Sequence, residues 1–505
     1  MVQASSGLAA RAHAPSSSAG SRSAIDFLKL TGGFLGAKVM GFLAFAWLAR
    51  HLTPAEYGLV ETVVGMSAIG FICLDFGTGT TGIHWRSRGA HTLPTTVRAV
   101  VTARVLIAAC CIPALLALYL SVIDAAGQWP LIAVFASSLL FLIVRHDWLY
   151  LAEDRVGVAT SGRLTHMTVF LVFLLLTDPS ANGLIMVGLA EWCGMAAMAA
   201  IFLVFRPAEA RTGTGVAALP AARALLHESW PLGLSNLLFA AMISLPSLVT
   251  IALAGPVASG EIAAALRIAV ALTAFGTLYF QALLPLIVRR LTLHPPSAQI
   301  LVDASDRLMA WSSAALCAFM GLAAGPLVTL VFGPKLAGAD LEFALLVWMV
   351  PLTFATASAR TVLVAVGQRR RVLTAYAAGA AVSVLAGIGL TAWQGSEGAA
   401  IGVLLGQATT WLLAVRAPSD TIRSRARLVL APMVLAIAVV VAGAMLGQGG
   451  WSAAWAGMSI VGGVSLLLPP VRQSVVVMLQ AKQEHPTALQ AGVAENGRTS
   501  RQGSE

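Results

Sequence analysis

The chain has 505 residues, 58% of them hydrophobic and only 11% charged, with a mean hydropathy of +0.83. Soluble domains carry about 25% charged residues, so this composition excludes an ordinary soluble protein and points to a membrane. The formal charge of +10 would suggest nucleic acid in a soluble chain, but in a membrane chain it reports topology, and no nucleic-acid partner is expected.

Residues 1–24 are rich in Ser and Ala, contain Arg11 and Arg22, and lack an apolar core before Phe27. They read as a disordered cytoplasmic tail, not a cleaved secretory signal. Apolar stretches bounded by Pro, Gly and charge predict helices over 27–49, 57–81, 99–123, 130–151, 163–177 and 182–205. A polar link at 206–229 follows. The second half predicts helices over 230–254, 258–288, 307–331, 341–365, 372–392, 397–415, 428–446 and 451–468, before a cytoplasmic tail at 472–505. The fold class is therefore an all-α polytopic membrane protein of about 14 spans, each of about 21 residues. Two six-helix lobes, 25–205 and 230–415, are joined by the link and followed by a helix pair within 416–471. The five cysteines, Cys73, Cys110, Cys111, Cys193 and Cys317, all lie in apolar stretches, where they act as small hydrophobes.

With the N-terminus in the cytoplasm and loops alternating, 26 of the 32 basic residues fall on the cytoplasmic side. Two, Arg50 and Lys335, fall outside, and four, Lys38, Arg145, Arg267 and Arg360, lie within helices. This bias predicts that both termini are cytoplasmic. Trp129, Trp230, Trp393 and Trp451 stand at predicted helix ends, as interfacial anchors do. A weak internal repeat pairs Pro54-Ala-Glu-Tyr-Gly58 with Pro256-Val-Ala-Ser-Gly260, each in an outside turn near the start of its half, which fits two lobes of parallel topology.

No nucleophile elbow, HExxH, phosphate loop, dinucleotide fingerprint or CxxC occurs in a supporting context, so no catalytic residue, metal or cofactor is expected. The informative residues are the charges inside the bilayer, each costing about 2.5 to 3.5 kcal/mol at a helix centre. Lys38 shares a face with Thr31 and Gly41, and Arg267 heads a polar stripe with Thr277 and Gln281. Both read as cations lining a cavity or as members of buried ion pairs. Glu191, flanked by Gly188 and Gly194, could pair with one of them or take part in ion coupling. Arg145 and Arg360, near cytoplasmic helix ends, can snorkel to the interface or add to the cavity cations. Asp75 opens Asp-Phe-Gly-Thr-Gly-Thr-Thr-Gly, a helix break or tight lobe contact. Cations deep in a bundle suit an anionic substrate such as a pyrophosphate.

Phe34-Leu-Gly-Ala-Lys-Val, Leu48-Ala-Arg-His-Leu-Thr-Pro-Ala-Glu-Tyr-Gly58 and Leu74-Asp-Phe-Gly77 together resemble the N-terminal pattern of Wzx-type polysaccharide flippases. These belong to the multidrug/oligosaccharidyl-lipid/polysaccharide (MOP) exporter superfamily. Thr53 stands where that pattern usually has Gly. The resemblance implies a non-enzymatic transporter of the bacterial inner membrane. It would move an undecaprenyl-pyrophosphate-linked oligosaccharide of exopolysaccharide, capsule or O-antigen from the cytoplasmic to the periplasmic leaflet by alternating access. Lys38, Arg267, Arg145 and Arg360 would be its substrate-binding cations, and Glu191 and Asp75 its coupling or ion-pair groups. A lipid-linked oligosaccharide, membrane lipid, a polysaccharide polymerase and a chain-length regulator are the implied partners. A peptidoglycan-precursor flippase of the same superfamily, a small-molecule drug exporter and a polymerase or ligase enzyme are the competing readings. The enzyme reading is weakened by an outside connection of only about a dozen residues near 333–341.

Overall fold

The computed structural model describes residues 17–88, 92–123, 128–153, 155–208, 218–416 and 426–478. Every regular element among them is a helix. In chain order these are α1 (Ser17–His51), α2 (Pro54–Asp75), α3 (Thr78–Ser87), α4 (Leu93–Val122), α5 (Trp129–Ser138), a 3-10 segment (Leu139–Val144), α6 (Asp147–Ala152), α7 (Val156–Thr177), the single turn α8 (Pro179–Asn182) and α9 (Ile185–Val204). The second half holds α10 (Ala218–Leu293), α11 (Pro295–Leu322), α12 (Ala324–Phe332), a 3-10 segment (Pro334–Ala339), α13 (Asp340–Leu346), α14 (Met349–Ala365), α15 (Arg369–Gln394) and α16 (Ser396–Arg416). A short 3-10 turn (Ala426–Val429), α17 (Leu430–Met445) and α18 (Trp451–Leu467) follow, and a last helix, Pro469–Met478, takes up residues 472–478 of the predicted tail.

Each predicted apolar stretch is helical, with differences at its ends and breaks. Residues 17–24 of the predicted tail form the first turns of α1, and 218–229 of the predicted link begin α10. Residues 1–16, 209–217, 417–425 and 479–505 lie outside the described residues. The predicted span 57–81 is two helices, because Phe76 (φ 39) and Gly77 (φ 75) turn left-handed between α2 and α3. Two predicted helices run together as α10, yet Gly255 (φ 90) bends the chain between them, a conformation at which any Cβ is strained. By length and composition eight described helices can cross a membrane, or eleven if each of three bent pairs is one span.

Local sequence explains the sharp starts. At α2, Thr53 caps the helix, its hydroxyl accepting from the Glu56 N–H while the Glu56 carboxylate accepts from the Thr53 N–H at 2.8 Å. Pro54, lacking an N–H, occupies the first turn where none is needed. In the first half α7 packs on both α1 and α9, and α5 on α9. In the second, α15 pairs with α16, α10 packs on α14 and α15, and α11 carries α17 and α18. The halves meet chiefly where α2 lies along α10, with α4 alongside.

Candidate functional site

The α2–α10 contact is close because small residues face each other along it. A Cβ on Gly77 would come within 3.2 Å of the Gly233 nitrogen and the Ser229 carbonyl at one end. At the other, a Cβ on Gly58 would strike the Pro256 carbonyl and Gly260, and one on Gly260 would strike the Pro54 carbonyl and crowd the Gly58 nitrogen. The two Pro-x-x-x-Gly turns of the internal repeat are thus packed reciprocally on each other. Beside them the Thr62 and Ser259 hydroxyls are hydrogen-bonded at 2.9 Å. Arg50 at the end of α1 donates through Nε to the Val331 carbonyl at 3.0 Å, and through Nη2 to the Leu330 carbonyl, at the end of α12. Lys335, just beyond α12, makes the converse contact: its Nζ donates to the His51 carbonyl, at the end of α1, at 3.1 Å. Each half therefore places a cation on the exposed carbonyls of the other half's helix, where the helix dipole is negative.

One turn deeper lies an ion pair between the halves. Arg267 of α10 donates from Nε to Glu61 Oε1 of α2 at 3.1 Å and from Nη2 to Oε2. Tyr57, one turn before Glu61, donates its hydroxyl to the same Oε1 at 2.7 Å. The guanidinium also lies over the Phe45 ring of α1, 3.6 Å from its centroid, a cation–π placement. Lys38 of α1 is exposed, and the charges of Arg267 and of Arg163 on α7 both act on it. Lys38 thus lies near two arginines, each held by a carboxylate, Arg163 by Asp147 and Arg267 by Glu61.

Glu191 pairs elsewhere. Its Oε2 is 3.2 Å from His166 Nε2 of α7, so its neighbour is neither Lys38 nor Arg267. Arg145 donates to Asp147 Oδ2 at 2.6 Å, lies 4.3 Å from the Phe71 ring centroid, and shares that oxygen with Arg163 at 2.5 Å. Asp75 accepts from Arg104 at 2.6 Å. Arg104, only 2% exposed, also donates to the carbonyls of Leu142 at 3.1 Å and Arg145 at 2.5 Å and to the Thr78 hydroxyl at 3.3 Å. This fastens the left-handed break after α2 to the end of the 3-10 segment. Arg360 is half-buried on α14 and makes no ion pair among the described residues.

Sequence reading misses Glu61, Tyr57, Arg104, Arg163 and His166 as members of these clusters. Tyr57 and Glu61 offer a signal, since four residues apart they share a helix face.

The overall arrangement has known counterparts among solved structures. An inward-facing multidrug resistance MATE family transporter of the MOP superfamily matches at 15% identity and a TM-score of 0.59, over 80% of this chain and 95% of that one. Lipid II flippase MurJ in an inward closed conformation matches at 8% identity and 0.66, over 86% and 98%. The eukaryotic MATE transporter AtDTX14 matches at 12% and 0.53, over 82% and 99%. The fold is that of the MOP-superfamily transporters, as the pattern in residues 34–77 implies. No curated protein matches the chain. The model of the polysaccharide biosynthesis protein family matches residues 26–290, and the chain belongs to that family.

Proposed function

We propose that this chain is a flippase of the bacterial inner membrane that carries an undecaprenyl-pyrophosphate-linked oligosaccharide from the cytoplasmic to the periplasmic leaflet by alternating access. In this reading fourteen spans form two lobes, 25–205 and 230–415, with both termini in the cytoplasm, and the Pro54–Gly58 turn faces the periplasm. A polymerase and a chain-length regulator take over the product.

The observation that carries the proposal is the excess of positive charge where Arg145 and Arg163 meet one carboxylate with Lys38 near Arg163, in a chain of the polysaccharide biosynthesis family. Arg145 and Arg163 share the single carboxylate of Asp147, which leaves one positive charge in excess there. Lys38 stands exposed beside it. A pyrophosphate carries the opposite charge and would be attracted more strongly than in bulk water. Arg145 and Arg360 serve as secondary cations, and Glu191, through His166, and Asp75, through Arg104, as ion-pair groups that hold the site's walls.

A clean deletion tests the reading. Polymer should vanish from the surface while lipid-linked repeat units accumulate on the cytoplasmic leaflet. Unchanged export in a strain without a paralogue would refute it, and lysis on depletion would assign the chain to peptidoglycan precursors instead.

A further inference from the structure

A second polar cluster lies beside the reciprocal glycine turns and takes no part in the anion site. Glu261, the residue after Gly260, is half-buried on α10. Glu342 on α13 is 3% exposed. Both carboxylates converge on one hydroxyl, that of Ser396 at the start of α16. It donates to Glu342 Oε1 at 2.7 Å and lies 3.5 Å from Glu261 Oε2. A hydroxyl has one proton to give, so it cannot satisfy both. The remaining oxygen of Glu342, Oε2, is buried without any hydrogen-bond partner.

Among the described residues no cation pairs with either carboxylate. Asp340, on the same turn as Glu342, and Glu397, beside Ser396, are further carboxylates acting on the pair. α12, packed against α13, has no charged residue. Arg50 and Lys335, the cations of this end, are bonded to helix-end carbonyls. A buried carboxylate oxygen with no donor is costly, and a like charge beside it raises the cost further.

We propose that Glu261, Glu342 and Ser396 form a site for one monovalent cation, either a proton on the carboxyl pair or a sodium ion between them. Among the described residues no three acidic, His or Cys groups converge, so the site offers two carboxylates and one hydroxyl, and water would complete the shell of a sodium ion. Glu261 is the half-buried member and Glu342 the enclosed one, so the ion enters past Glu261. Gly338 packs directly against that carboxylate, since a Cβ there would lie 2.7 Å from Glu261 Oε1. Glu261 directly follows Gly260, whose turn is packed on Pro54–Gly58, so the site adjoins this contact between the halves.

The site does not depend on what the chain carries, and its test needs no transport assay. Purified full-length protein in detergent is measured for saturable binding of radioactive sodium at neutral pH. In sodium-free buffer it is measured by infrared spectroscopy for the carbonyl stretch of a protonated carboxyl. Isotope-labelled glutamate identifies the band without any variant. The wild type should give one of the two signals, which names the ion, and Glu342→Gln should abolish it. Ser396→Ala, which keeps both carboxyls, should weaken sodium binding at least tenfold or move the band, and it serves alone if the glutamine variant is not recovered folded. A wild type showing neither signal overturns the proposal. So does a signal that survives Glu342→Gln, or one unchanged by Ser396→Ala.

Discussion

Glu61→Ala is the sharpest perturbation of the contact between the halves. It removes both acceptors of Arg267 and the acceptor of Tyr57. Breaking a buried ion pair by deleting one partner costs about 3 to 5 kcal/mol, because the other charge stays buried and uncompensated. The Arg267 side chain is 25% exposed and that of Glu61 8%, so water recovers part of this for the arginine. With the lost tyrosine hydrogen bond included, the expected loss is about 2 to 4 kcal/mol, or roughly 30- to 1000-fold in the ratio of folded to unfolded protein. Denaturant unfolding of purified protein in fixed lipid–detergent micelles measures it. Arg267→Gln should cost a similar amount. The double variant Glu61→Gln/Arg267→Gln, which keeps polar groups facing each other without charge, should be more stable than the sum of its two singles by at least about 1 kcal/mol. Wild-type stability in Glu61→Ala, or strict additivity in the double variant, would refute the ion pair as a fastening between the halves.

Lys38→Gln should lower transport per folded molecule at unchanged abundance while Lys38→Arg retains part of it; equal activity of the two would remove Lys38 from the anion site. Cysteines at Thr62 and Ser259, whose hydroxyls are 2.9 Å apart, should form a disulfide under oxidation that stops transport until it is reduced, and free transport in the cross-linked protein would exclude opening at this end. Arg104→Ala should sharply reduce the amount of folded protein in the membrane, because four acceptors, the Asp75 carboxylate among them, lose their donor; normal abundance would contradict its fastening role. A phosphatase reporter fused after Gly449 should be active and one fused after Arg425 inactive, and the reverse pattern would overturn the cytoplasmic placement of the termini.

Apolar length and loop chemistry make the helices legible, since these are local properties of the chain. The partners of the charges are not legible in the same way. Arg267 stands out as a deep cation, but Glu61 lies 206 residues away, and no local pattern sets the rotation of one helix against another. Small errors at helix starts have large effects. A span over 99–123 puts Arg104 a turn from the interface among the cytoplasmic charges; α4 begins at Leu93, and the arginine is enclosed. Likewise α7 begins at Val156, which carries Arg163 two turns into the helix and beside Asp147. The Pro-x-x-x-Gly repeat is visible as sequence, while its reciprocal packing requires the two halves to be brought together.

The exchanged cations at Arg50 and Lys335 have a consequence for synthesis. The carbonyls that close α1 are met by a lysine 284 residues further along the chain, and Arg50 waits for carbonyls 280 and 281 residues away. During translation the first half thus emerges with a bare helix end and a guanidinium without its carbonyl partners, both exposed residues. Only a second half inserted in the matching orientation delivers the counterparts to the same side. An inverted second half would bring Lys335 to the opposite face, so this exchange discriminates correctly assembled chains from misinserted ones once α12 and the turn after it are in place.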